Sequence, residues 1–197
     1  MPVYRAQETS VPPGQVHTRL STKRLPKDVP FLVDNVWEWV RAHAYPACPS
    51  RRFAVFAAAS VASARQWATN AARVYEVIRP AGQRIAQHRL HEAIARHADL
   101  EKVQRMVSPA LQRSGWADRP LADRVSQACL FAPGLDAAEV EAILRAWPEI
   151  GALRDELLER LTFWREVDFI PAAEARPDLG EVFFEPDESG YRLEPMA

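Results

Sequence analysis

Arginines in the first third of the chain and glutamates near its end are the side chains whose types and distribution point most directly to chemistry. Arg5 stands in Val3-Tyr4-Arg5, and Arg19 stands in Val16-His17-Thr18-Arg19-Leu20. Glu181 and Glu185 flank Val182-Phe183-Phe184 near the C-terminus. The overall charge divides the same way. Residues 1–80 hold 11 Lys and Arg against 5 Asp and Glu. Residues 81–165 hold 12 against 12, and residues 166–197 hold 2 against 9. A basic first third suits an anion site, to which the acidic end would supply a carboxylate. Simple pairing of the two ends in the fold would give the same split. A guanidinium grips an anion through two parallel N–H bonds, which an ammonium does not.

Other chemistries are poorly served. With seven glycines, the chain has no GxxxxGK[ST] loop and no GxGxxG, the backbone cradles that phosphate-binding loops need. It has no GxSxG elbow. His88, His91 and His97 fall close together in sequence, but no neighbouring acid completes a metal signature, so no metal site is expected. Cys48 and Cys129 are too few and too far apart for a disulfide framework. Cys129 sits in an apolar stretch and is expected in the core.

The elements that must position these residues read as follows. Strands are expected at Val3–Arg5, Val16–Leu20, Phe53–Ala57 and Arg73–Ile78, each by apolar alternation or a short apolar run. Asp28 is expected to cap a helix with Pro30 in its first turn, and Trp37 and Trp39 fall on different faces of it, so that one would be exposed or line a cleft. Ser60 begins another helix, and a plain capping role is one reading of its hydroxyl.

Residues 84–163 read as helical throughout, in five pieces: about 84–97, about 99–112, about 120–131, one opening at Asp136, and one from Pro148 to Trp164. Asp136-Ala137-Ala138-Glu139 approximates a capping box, with Asp in place of Ser or Thr. The end returns to strand. Gly180–Glu185 and Tyr191–Leu193 are expected to form a hairpin around Asp187-Glu188-Ser189-Gly190. The pattern is α+β.

At 197 residues the chain is expected to be a single domain. Its strand-rich part would span about 1–80 and 166–197, and a helical insertion about 84–164. It is 48% apolar and 26% charged, a soluble globular composition. No apolar run reaches the roughly 18 residues of a membrane span. The net charge of −1 argues against a nucleic-acid binder. The N-terminus lacks the order of a signal peptide. The expected place is therefore the cytoplasm, or a host cell reached without a classical signal.

Taken together, Val3-Tyr4-Arg5-Ala6, Phe53–Ala64, Arg73-Val74-Tyr75-Glu76-Val77 and the late Glu181 or Glu185 resemble the mono-ADP-ribosyltransferase family of bacterial toxins and effectors. The resemblance covers about residues 3–78 and 180–194. It implies a small split β-sheet core with a large helical insertion, NAD as substrate and a protein target. It implies that Arg5 or Arg19 holds the NAD phosphates, and that His17 and Ser60 support the nicotinamide-ribose region. Phe56, Tyr75 or Trp67 would stack on nicotinamide, and Glu181 would be the catalytic carboxylate, with Glu185 the alternative.

The sequence departs from the family where Phe56-Ala57-Ala58 replaces its usual Ser-Thr-Ser run. The Glu-x-Glu pair of arginine-modifying members is also missing. A reading from another class is a non-catalytic α+β protein-interaction module, with its helical middle on a partner and Trp37 or Trp39 as the interface anchor.

Overall fold

The structure is a computed structural model. It describes residues 1–19, 22–66, 68–69, 72–80, 82–89, 92–115, 118–179 and 181–196. In chain order the elements are β1 (Tyr4–Gln7), β2 (Val16–His17), α1 (Phe31–Ala44), β3 (Val55–Ala57), α2 (Val61–Gln66), β4 (Arg73–Ile78) and β5 (Arg84–His88). Then follow α3 (Glu92–Arg113), α4 (Leu121–Ala128), α5 (Ala137–Ala146), α6 (Pro148–Gly151), α7 (Arg154–Arg160), β6 (Val167–Pro171), β7 (Val182–Phe184) and β8 (Tyr191–Pro195). The fold is α+β. Among the described residues, no helix is long and apolar enough to cross a membrane.

The chain divides into two compact units. One comprises Met1–Thr22, Pro49–Glu92 and Arg165–Ala197, and the other Lys23–Cys48 and Ala93–Trp164.

The first unit holds the strands. Among the described residues they form two four-stranded sheets, ordered β1-β4-β8-β2 and β3-β7-β5-β6, with every pair antiparallel. Alternation explains the core. Val55 and Ala57 of β3 point inward while Phe56 faces the other way, and Tyr75 and Val77 do the same on β4. With Ile85, Val182, Phe184, Tyr191 and Leu193 they make one buried cluster drawn from both sheets. The sheets are stitched by a bridge between Tyr4 and Ala58, whose N–H and C=O groups exchange two bonds of 2.7 Å.

Three expectations fail in this unit. Residues 84–88 form a strand, not the start of a helix. Arg, Ala and Gln favour helices on their own, but β5 is paired on one edge by β6 and on the other by β7. Tertiary pairing decides. Secondly, the turn at Asp187–Gly190 exists, with the Asp187 carboxylate accepting from Ser189 and Gly190, but the hairpin does not. A strand has two edges, and those of β7 are taken by β3 and β5, so β8 crosses to the other sheet. There β8 pairs with β2, and Gly190 is required: at φ +70° it brings its Cα so near the His17 carbonyl that a Cβ would lie 2.3 Å from that oxygen. Thirdly, the strand expected over 16–20 is described only at Val16–His17; Leu20, like Gly180 of the other strand expectation, lies outside the described residues.

The second unit is helical. Helix α1 is buried continuously from Leu32 to Val40. Trp37 and Trp39 are therefore both interior, correcting the expectation that one would be exposed. Trp37 packs on Phe163 and Trp164, with ring centroids 5.1 and 4.8 Å away. Trp39 donates its indole N–H to Glu141 at 2.9 Å. Residues 99–112 do not start a helix of their own, because α3 runs unbroken through them. Asp99, mid-helix and buried, instead accepts the N–H groups of Thr162 and Phe163 at 3.2 and 2.8 Å. The Asp136 capping box is complete, with both reciprocal bonds made. The last expected helix is broken into α6 and α7. Gly151 ends α6 so close to α5 that a Cβ would sit 2.6 Å from the Leu144 carbonyl oxygen. Cys129 is exposed, not in the core; the neighbouring Leu130 fills the interior.

Candidate active site

The strand-rich unit contains a cavity of about 280 Å³ lined by Tyr4, Arg5, Ala6, Arg51, Phe56, Ala57, Ala64 and Glu181. Each wall has a local cause. Strand β1 supplies Arg5, directly across the ladder from Tyr75 of β4. Strand β3 supplies Phe56, the residue its alternation turns away from the core. Glu181 immediately precedes β7, and its carbonyl accepts the His88 N–H at 3.3 Å, which ties that end of the strand to β5.

The electrostatics of the cavity centre on one ion pair. The Arg51 Nη1 lies 3.0 Å from Glu181 Oε2. The two side chains are only 15% and 14% exposed, so the attraction is little screened by water. The Arg51 guanidinium lies over the Phe56 ring, 4.3 Å from its centroid, and 5.3 Å from that of Phe183. The lining thus includes two arginines, one glutamate and two aromatic residues, Tyr4 and Phe56. That combination suits an anionic ligand with a flat ring and a centre that becomes positive during reaction.

The alternatives open in the sequence separate spatially. Arg5 and Glu181 reach the cavity. Arg19 and Glu185 bind each other at 3.1 Å, away from its lining, and Glu185 also accepts the Ser50 N–H. The Arg19 guanidinium covers Phe53 at 4.2 Å.

Two other candidates, Ser60 and Tyr75, are not among the lining residues. The Ser60 hydroxyl caps α2, accepting the Ser63 N–H at 3.1 Å and donating to the Ser63 hydroxyl at 2.9 Å. Tyr75 is 1% exposed, its ring is part of the core, and its hydroxyl accepts the Val11 N–H at 3.2 Å. Tyr75 is thereby removed as a stacking partner. Trp67 lies outside the described residues.

His17 stacks on Tyr191, its ladder partner, with centroids 5.1 Å apart. Its Nε2 is buried without a hydrogen-bond partner among the described residues. Burial, and secondarily the charge of Arg5, holds its pKa below the usual 6.5. His17 is accordingly neutral at pH 7. Because the unfolded chain binds this proton more readily than the folded one, stability is full above about 6.5 and declines as pH falls below it. Urea unfolding at about pH 7.5 and about pH 5 should show a smaller loss of stability for His17→Phe than for the wild type. Equal losses would show that His17 contributes nothing to the acid sensitivity.

Among the described residues, no group of three His, Cys, Asp or Glu is arranged to hold a metal. His88 is on β5, not on a helical face, and His91 lies outside the described residues.

Arg51 is the site residue that sequence reasoning missed. Its segment, Pro49-Ser50-Arg51-Arg52, reads only as a loop. Two adjacent arginines directly before an apolar strand were the available signal. No family model, no curated protein and no solved structure matches the chain.

Proposed function

We propose that the chain is an NAD-dependent mono-ADP-ribosyltransferase acting on a protein target, of the toxin or effector type. The observation that carries this reading is the meeting of Arg5 and Glu181 in one cavity, although 176 positions separate them. The two sheets accord with a split core.

In this reading Arg5 binds the pyrophosphate bidentately, and Phe56, whose face carries the Arg51 guanidinium at 4.3 Å, borders the nicotinamide with its edge. The cavity, just under the roughly 300–1,000 Å³ of small-molecule pockets, receives the nicotinamide-ribose end, with the pyrophosphate at its Arg5 wall. The bond between ribose C1′ and the ring nitrogen breaks, and its electron pair leaves with nicotinamide, cancelling the ring charge. Positive charge develops on the ribose, where the Glu181 carboxylate stabilises it. The acceptor's lone pair then bonds to C1′, and the acceptor loses a proton to solvent.

The test is release of nicotinamide from NAD by the purified protein, followed by labelling of a lysate with labelled NAD. Arg5→Ala is expected to raise the KM for NAD by roughly 10- to 100-fold, the worth of one charge-assisted contact of about 1.5–3 kcal/mol. An unchanged KM would remove Arg5 from phosphate binding.

The interaction-module reading retains one observation. Leu121 and Val125 are 68% and 59% exposed one turn apart on α4, an apolar stripe that Trp37 and Trp39, being buried, do not provide. Absence of NAD binding at about millimolar concentration, together with no nicotinamide release, would favour that reading.

A further inference from the structure

We propose that Arg51 is the positioning residue for Glu181, holding its carboxylate in the orientation the transfer step needs; this rests on the ADP-ribosyltransferase reading. The argument begins with what β3 lacks. From Val55 through Ala59 the strand and its extension carry no side-chain hydrogen-bond donor. The next hydroxyl, Ser60, is committed to capping α2. A donor that does reach Glu181 is Arg51, four residues upstream of β3.

A long side chain orients a partner only if it is itself held. Arg51 is held by two rings. Phe56 and Phe183 are ladder partners across β3 and β7, with centroids 6.1 Å apart. The guanidinium lies 4.3 Å and 5.3 Å from their centroids, and from there donates to Glu181 at 3.0 Å. Phe183 is on the strand that Glu181 immediately precedes, so one short backbone segment carries both a ring of the platform and the carboxylate. A flat guanidinium fits this arrangement and an ammonium does not, because only the former stacks and donates in its own plane.

The test compares nicotinamide release by the wild type, Arg51→Met and Arg51→Lys. Arg51→Met should lower kcat by roughly 10- to 100-fold, the scale expected when a reacting group loses its placement, while KM for NAD changes by less than about threefold. Arg51→Lys should recover part of kcat, since charge returns without the stacked plane. In a Glu181→Gln background, Arg51→Met should cost little more, because the two residues act as a unit. An unchanged kcat in Arg51→Met, or a loss confined to KM, overturns the proposal while leaving the transferase reading intact.

A wild type that releases no nicotinamide overturns that reading instead. The positioning is then read from the Arg51 side-chain nitrogen signals by NMR. Signals restricted in the wild type and still restricted in Glu181→Ala, but averaged when the platform is removed in Phe56→Leu, support it. Signals already averaged in the wild type overturn it, and this measurement stands even if Arg51→Met does not fold.

Discussion

Glu181→Gln is expected to slow nicotinamide release from NAD by roughly 100- to 1,000-fold, while the melting temperature moves by no more than a few degrees. Glutamine keeps the shape of glutamate and an oxygen that accepts from Arg51, now paired at 3.0 Å. It removes the negative charge, and the charge is what a developing oxocarbenium centre needs. The loss should therefore fall on kcat, with NAD binding through Arg5 retained. Glu185→Gln is the matched control. That carboxylate is occupied by Arg19 and the Ser50 N–H, so its loss should affect stability more than turnover. Full activity in Glu181→Gln would defeat the assignment. Loss of activity in Glu185→Gln alone would move the catalytic role to that position.

Asn35→Ala should destabilise the protein by about 2–5 kcal/mol, measured by urea unfolding. Asn35 is fully buried on α1. Its amide donates to the Leu130 and Ala132 carbonyls at 2.9 and 2.8 Å, and its oxygen accepts the Leu135 N–H at 3.1 Å. One side chain thus satisfies three backbone groups of the segment between α4 and α5. Alanine removes all three bonds and opens a small void. Each unsatisfied buried group costs about 1–3 kcal/mol, less where water can enter. Asn35→Asp should be at least as damaging, because a carboxylate cannot donate to two carbonyls and would carry charge toward them. A change under about 1 kcal/mol for Asn35→Ala would show that the segment rearranges to satisfy itself.

Much of the fold was legible wherever the cause was local. The alternation of Arg73–Ile78 marked β4 to the residue, and Asp136 with Glu139 marked the start of α5. These signals lie within a few residues of what they specify. Strand β5 was illegible for the converse reason. Arg84-Ile85-Ala86-Gln87-His88 has the propensity of a helix, and only its place between β6 and β7 makes it a strand. The hairpin expected at the C-terminus failed on the same ground: its turn is written locally, but the pairing of β7 depends on strands more than ninety residues upstream. Trp37 and Trp39 could not be placed because helical spacing distinguishes one face from another, and α1 has no solvent face along its buried stretch.

The candidate site divides along the same line. From the sequence alone came the α+β class, the basic first third and the acidic last strands, while the family resemblance singled out Arg5, Arg19, Glu181 and Glu185 within them. Residue types and local pattern suffice for that, because ionisable groups and alternation are properties of short segments. Which arginine faces which glutamate was decided only by tertiary structure. Arg19 closes on Glu185, Arg5 and Glu181 border one cavity, and Arg51 lies on the Phe56–Phe183 platform. Those meetings follow from the register of antiparallel strands whose partners are more than a hundred residues apart, and long-range register is set by burial of both sheets in one core, which no local window contains.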